Sequence, residues 1–217
     1  MAEFARLTLH ASQWPAPLAA QLQDAFRQRR IPPKFHYETP SQVRQWLRVH
    51  EAHSPARQAE TFRQTYAPAF DAVNGRLGPG PVHAVALGCG GGQKEVALLK
   101  QLAACNRPVT LTASDVSASM VLTTLHAAWQ VVPDNACRGL VGDLTLMGDS
   151  MADWRRAETP DATQRVVTFF GMIPNFEPES LRAILPGLVR PGDLFLFSAN
   201  LAPGRNYRAG VEQVLPQ

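Results

Sequence analysis

The run Val82-His83-Ala84-Val85-Ala86-Leu87 passes directly into Gly88-Cys89-Gly90-Gly91-Gly92 and then Gln93-Lys94-Glu95, and no other stretch of the chain restricts the fold so tightly. An apolar run followed by glycines predicts a buried strand, a sharp turn and the start of a helix. Glycine at alternate positions 88, 90 and 92 lets the backbone leave the strand abruptly and approach a ligand with no Cβ in between. This is the form of a nucleotide-cofactor loop. A dinucleotide fingerprint of the G-x-G-x-x-G type, counted from Gly88, needs glycine at position 93, where the chain has Gln93. Hydride-transfer cofactors are therefore disfavoured.

Two carboxylates follow at telling intervals. The apolar-biased run Val109 to Ser114 ends in Asp115, about 25 residues beyond the glycine loop, near the interval at which an acid at the end of a second strand meets ribose hydroxyls. Asp115 also stands before a helix expected to begin at Ser117 to Met120, where it could cap free N–H groups, and the two roles are compatible. Leu140-Val141-Gly142-Asp143-Leu144 reads as a third strand ending in a carboxylate on the adenine side of such a site, or as an ordinary turn aspartate.

Up to about Leu77 the pattern is helical, with segments near Ala16 to Arg29, Ser41 to His50 and Pro55 to Val73, and no strand-like run. From Pro81 the chain alternates. Strands are expected at 82–87, 109–114, 138–142, 165–170 and 193–199, and helices at 93–104, 117–130, near 149–157, at 177–185 and around 206–215. Such repeats predict an α/β fold with a doubly wound, mostly parallel sheet, Rossmann-like, preceded by an N-terminal helical region. Gly78-Pro79-Gly80-Pro81 divides residues 1–77 from a cofactor-binding domain at 81–217. The strand pattern stops after the fifth strand, so either the sequence is a fragment of a longer chain that carries the last strands or another copy or a partner chain covers the exposed edge.

At 217 residues, 45% hydrophobic and 18% charged, the chain can bury a sizeable core, and its net charge of +3 does not point to nucleic acid. Arg27, Arg29, Arg30 and Lys34 form the only basic cluster, read as the solvated end of a helix. Cys89, Cys105 and Cys137 lack metal or disulfide spacing, and no apolar run is long enough to span a bilayer. A reducing, cytoplasmic setting is expected. His50 and His53 share a helix face with no third ligand evident, so no metal is expected, and Met120, Leu122, Leu125 and Trp129 are expected to pack.

With these motifs in place, the chain resembles the histidine-specific, S-adenosylmethionine-dependent methyltransferases, a class I methyltransferase family whose known member trimethylates histidine. Leu87-Gly88-Cys89-Gly90 through Lys94 is similar to that family's L-G-S-G-x-x-x-K loop, Ser114-Asp115-Val116-Ser117 to its D-V-S motif, and Gly142-Asp143-Leu144 to its G-D-F motif. The resemblance implies that Gly88, Gly90, Gly92, Lys94, Asp115, Asp143 and Leu144 contact S-adenosylmethionine. Phe170-Gly171-Met172-Ile173-Pro174-Asn175-Phe176 resembles F-x-G-x-x-I-G-N-F, which implies that Gly171 and Asn175 hold the amine substrate. Phe35, Ser41, Pro55 and Arg57 fit two further motifs of the helical region. His53-Ser54 replaces a tyrosine pair that helps bind histidine, and Pro174 replaces a glycine.

The function expected is therefore methyl transfer to a nitrogen of a small, amino-acid-like molecule, histidine among them, with no catalytic acid or base assigned. Two other classes compete with it. The altered substrate motifs suit a cofactor-binding subunit without activity, and the arginine cluster suits an RNA or protein methyltransferase.

Overall fold

The computed structural model describes residues 6–54, 57–147, 163–199, 204–206, 208–209 and 212. Its elements are β1 (Leu7–Leu9), α1 (Pro15–Arg27), α2 (Pro40–His53), α3 (Ala59–Arg76), β2 (Val82–Leu87), α4 (Gln93–Ala103) and β3 (Val109–Asp115), followed by α5 (Ala118–Ala128), β4 (Cys137–Val141), β5 (Gln164–Phe170), α6 (Pro178–Leu188) and β6 (Leu194–Ser198). Short 3₁₀ turns lie at Ala11–Gln13, Pro33–His36, Asp134–Ala136 and Ile173–Asn175. The helix expected near 149–157 lies outside the described residues, as does most of the one around 206–215.

The six strands form one sheet in the order β1-β4-β3-β2-β5-β6, and every neighbouring pair is parallel. The expected doubly wound α/β sheet is thus present. Strand β2 occupies the centre, all six residues buried, and its period of two sorts them between the faces. Val82, Ala84 and Ala86 join Phe70 of α3, Leu98 and Leu102 of α4 and Val121 of α5 in one core, whereas Val85 and Leu87 join Leu140, Val167, Phe169 and Leu188 in the other. Burial on both faces is what a parallel sheet between helical layers demands. Ala84, Ala86 and Ala113 put small side chains on the same core face.

One difference from the sequence reading is structural. Residues 7–9, placed in a region without strands, run parallel to β4 with Leu7 opposite Gly139 and Leu9 opposite Val141. Three residues with exposed side chains carry no periodicity to read, and their partner lies far along the chain. Gly139 makes the pairing possible, since a Cβ there would stand 2.5 Å from Leu7 Cδ1 and 2.6 Å from Val121 Cγ1. At the opposite side, β6 is the last strand among the described residues.

Candidate cofactor and substrate cleft

Strand order reverses at the middle of the sheet: from β2 the strands are added outward through β3 to β4, and β5 returns to the other side of β2. Such a switch point opens a crevice beyond the carboxyl ends of the strands. A cleft of about 680 Å³ lies there. All nine residues singled out by sequence line it: Gly88, Gly90, Gly92, Lys94, Asp115, Asp143, Leu144, Gly171 and Asn175.

The glycine turn explains itself. Gly88, Gly90 and Gly92 have φ of 66°, 53° and 73°, the left-handed region in which a Cβ is strained. At Gly88 a Cβ would also meet Met172 Sδ at 2.4 Å, and at Gly92 it would meet the backbone Cα of Thr124 at 2.9 Å. The turn is held from outside as well: Thr124 Oγ1 donates to Gly90 O at 3.0 Å, and Gly90 N donates to Asp115 Oδ2 at 3.0 Å.

Asp115 ends β3 and is buried. Its other oxygen, Oδ1, accepts the N–H of Ser117 at 3.0 Å, an Asx turn into α5. The helix-start role is therefore real, though it acts on the N-cap residue itself. Burial raises the carboxyl pKa, and the amides of Ser117, Gly90 and Val116 draw it part of the way back. With three amides on about four lone-pair positions, the carboxylate keeps room for a further donor. Tyr37 stands across the cleft, its phenol pKa raised by burial and by the charge of Asp115.

Asp143 follows β4. Its Oδ1 accepts Thr145 N at 3.0 Å and Thr145 Oγ1 at 2.6 Å, while Oδ2 pairs with the Lys34 ammonium, which also reaches Gln21 of α1. Burial alone would raise the Asp143 pKa, but the bonds from Lys34 and Thr145 outweigh it and hold the group below the usual range. This corrects the reading of the basic cluster. Arg27 and Arg30 are exposed and pair with Asp24 and Glu177, whereas Lys34 is turned inward to the cleft.

Lys94 Nζ lies 5.3 Å from the ring centre of Tyr66 and 5.6 Å from that of Phe170, an aromatic cradle for a cation. Gly171, at φ 71°, leaves the space before that ammonium free, since even an added Cβ would come no closer than 4.0 Å. Asn175 is exposed at the end of its 3₁₀ turn and donates from Nδ2 to Met172 Sδ at 3.7 Å. It does not cap α6, which begins at Pro178 with Glu177 as N-cap and no side-chain cap.

Sequence reasoning named Arg57 and the His53-Ser54 positions of the helical region, which do line the cleft, but passed over the aromatic wall beside them. Trp46 stacks on His50 at 4.8 Å and meets Tyr37 edge-on at 5.9 Å, and these three line the cleft with Arg57 and Tyr66. His50 is pushed toward its neutral form by burial, then by Lys94 and Arg57. Met120, expected only to pack, is buried and also forms part of the cleft wall. Among the described residues, no group of three or more His, Cys, Asp and Glu side chains is placed to hold a metal, and no helix is long and apolar enough to cross a membrane.

A family model described as "Histidine-specific methyltransferase, SAM-dependent" matches residues 18–206. No curated protein matches the chain significantly. Among solved structures, magnesium protoporphyrin IX methyltransferase from Synechocystis PCC 6803 with bound S-adenosylhomocysteine is similar with a TM-score of 0.53 and 17% identity, covering 84% of this chain and 76% of that one. The citrinin polyketide synthase CMeT domain gives 0.50 and 19% identity, covering 82% of this chain and 43% of that one. YjhP from E. coli gives 0.48 and 16% identity, covering 80% of this chain, which spans 60% of YjhP's length. At these identities the likeness is one of fold.

Proposed function

The chain belongs to the histidine-specific, S-adenosylmethionine-dependent methyltransferase family, and from that membership we propose that it methylates a nitrogen of a small, amino-acid-like molecule, with histidine the first acceptor to test. The observation that carries the reading is the convergence of the glycine turn, Asp115, Asp143, Lys94 and Asn175 on one cleft of about 680 Å³. That volume suits a nucleoside cofactor together with a small acceptor. Trp46, Tyr37 and His50 stand over it, which disfavours a polymeric substrate.

The donor set fits the cofactor. The Cβ-free turn admits the nucleoside close to the backbone, Asp115 has acceptor capacity left for ribose hydroxyls, Asp143 for an exocyclic amine, and Lys94 offers an ammonium to a carboxylate. When bound, S-adenosylmethionine supplies an electrophilic methyl group on a sulfonium. The chain's own task is alignment and water exclusion. The α-amino group of a free amino acid is mostly protonated near pH 7, so the acceptor must release a proton to solvent as well as be oriented before its lone pair can meet the methyl group. Asn175 presents an amide to that amine beside the open face of Gly171. Arg57, close enough to His50 to favour its neutral form, lines the same cleft and offers a cation to the acceptor's carboxylate.

The test is a methyl-transfer assay across free amino acids, histidine included, with Asn175→Ala alongside. We expect turnover of at least one acceptor in the wild type. In the variant we expect a fall of about a hundredfold or more in kcat/KM, with affinity for S-adenosylhomocysteine within about twofold of wild type. Equal activity per folded molecule removes Asn175 from acceptor positioning. Tight cofactor binding with no acceptor turned over points to a non-catalytic module.

A further inference from the structure

The first turn of α4 puts two consecutive titratable residues of opposite type on the cleft wall, Lys94 and Glu95. The resemblance ended at the lysine, and the reading of function leaves Glu95 without a part. Yet Glu95 is 5% exposed. Its Oε1 accepts from Thr168 Oγ1 of β5 at 3.5 Å, a long and neutral bond, and its remaining support is its own backbone amide. A carboxylate so far withdrawn from water is costly to ionise unless a cation or further donors meet it. Lys94 does not do so directly, because its ammonium is held over Tyr66 and Phe170 and makes no ion pair among the described residues.

We propose that Glu95 receives the α-ammonium of the cofactor's methionine end while Lys94 receives its α-carboxylate, so that the consecutive pair reads a zwitterion. The proposal rests on the cofactor reading above. The chemistry is complementary in both sign and order: an α-amino acid carries its two charges on groups attached to one carbon, and adjacent residues on a helix start offer the matching two from one short arc. Position supports it too. Thr168, the partner of Glu95, is register-paired with Ala86, two residues before Gly88, so the carboxylate stands beneath the glycine turn. Burial also raises Glu95 to a pKa of about 7, so the site is a group whose ionisation a bound ammonium would favour.

The experiment is a double-mutant cycle by titration calorimetry on the full chain, wild type and Glu95→Gln, with S-adenosylhomocysteine and its desamino analogue, which keeps the carboxylate and lacks only the ammonium. Wild type is expected to prefer S-adenosylhomocysteine at least tenfold. Glu95→Gln should weaken S-adenosylhomocysteine at least tenfold and leave the analogue within twofold, a coupling of about 1 kcal/mol or more. Equal weakening of both ligands makes Glu95 a support of the turn and overturns the proposal, as does an unchanged preference in the variant. If Glu95→Gln does not fold, the wild-type comparison decides alone, since equal affinity for the two ligands sinks the idea. Failure of wild type to bind either ligand overturns the cofactor reading itself, and the ammonium site with it.

Discussion

The amide of Gly90 donates to Asp115 Oδ2 at 3.0 Å, across 25 residues of chain, so the carboxylate expected to meet a ribose also pins the turn that admits it. Site and scaffold share one side chain. Asp115→Ala should therefore lower the stability of the ligand-free protein as well as cofactor affinity, each by about 1.5 to 3 kcal/mol, the range for hydrogen bonds to charged groups. Urea unfolding and calorimetry on the same variant check both. A loss confined to affinity would mean that the Gly90 and Ser117 bonds contribute little to the fold.

Gly92 offers a test of the turn without touching a charge. An added Cβ would meet the Thr124 backbone at 2.9 Å while the residue sits at φ 73°. Left-handed strain and overpacking together predict that Gly92→Ala destabilises by about 2 to 4 kcal/mol. The companion variant Gly75→Ala, at a helical glycine with nothing within 4 Å of the added atom, should be neutral or stabilising. Chemical denaturation of the two side by side separates the local clash from a general glycine effect.

The Lys34–Asp143 pair predicts a signature in acid. Asp143 is held below its ordinary pKa of 3.8, so its contribution is present above that value and is lost as pH falls through the depressed one. Lys34→Ala should cost about 1 to 3 kcal/mol at pH 7. The gap from wild type should close as the pH drops below 3.8. Thermal melts at pH 7 and at about pH 3 measure it, and a constant gap would assign the loss to packing of the lysine stem.

Glu95 predicts the opposite slope. Its folded pKa of about 7 exceeds the ordinary 4.5, so the folded state holds a proton that the unfolded chain has already released. Stability of the ligand-free protein should fall as pH rises from 4.5 to 7 and level off above, by up to about 3 kcal/mol from this group. Lys94 beside it opposes the shift, and Asp115 across the turn adds to it. Buried His83, depressed to about 4, runs the other way, losing stability as pH falls from 6.5 toward 4. Subtracting the Glu95→Gln profile from wild type isolates the glutamate, and a flat difference between pH 5 and 8 would show that it stays charged.

The sheet from Val82 onward was legible because each strand is an apolar-biased run bounded on at least one side by glycine, proline or aspartate, and the observed bounds fall within two residues of those expected. The floor of the cleft was legible for the same reason, its residues following strand ends. The roof was not. Tyr37, Trp46 and His50 reach the cleft only through packing of α2 and the turn before it, and an amphipathic helix does not announce which of its polar or aromatic residues will face a ligand. Lys34 was misplaced because a lysine among arginines reads as surface until Asp143 is seen beside it. Glu95 looked ordinary, since acids in the first helical turn are favoured whether or not they are buried.

The pairing of Leu7–Leu9 with Gly139–Val141 also orders the birth of the molecule. About 130 residues separate the partners, so closing that loop costs more chain entropy than any other pairing in the sheet. Emerging from the ribosome, the N-terminal strand has no edge to join until β4 has been synthesised and has settled against β3. It is thereby the last of the first four strands to find its place, although it is the first of them to be made, and it serves as a latch closed over the edge that β4 presents.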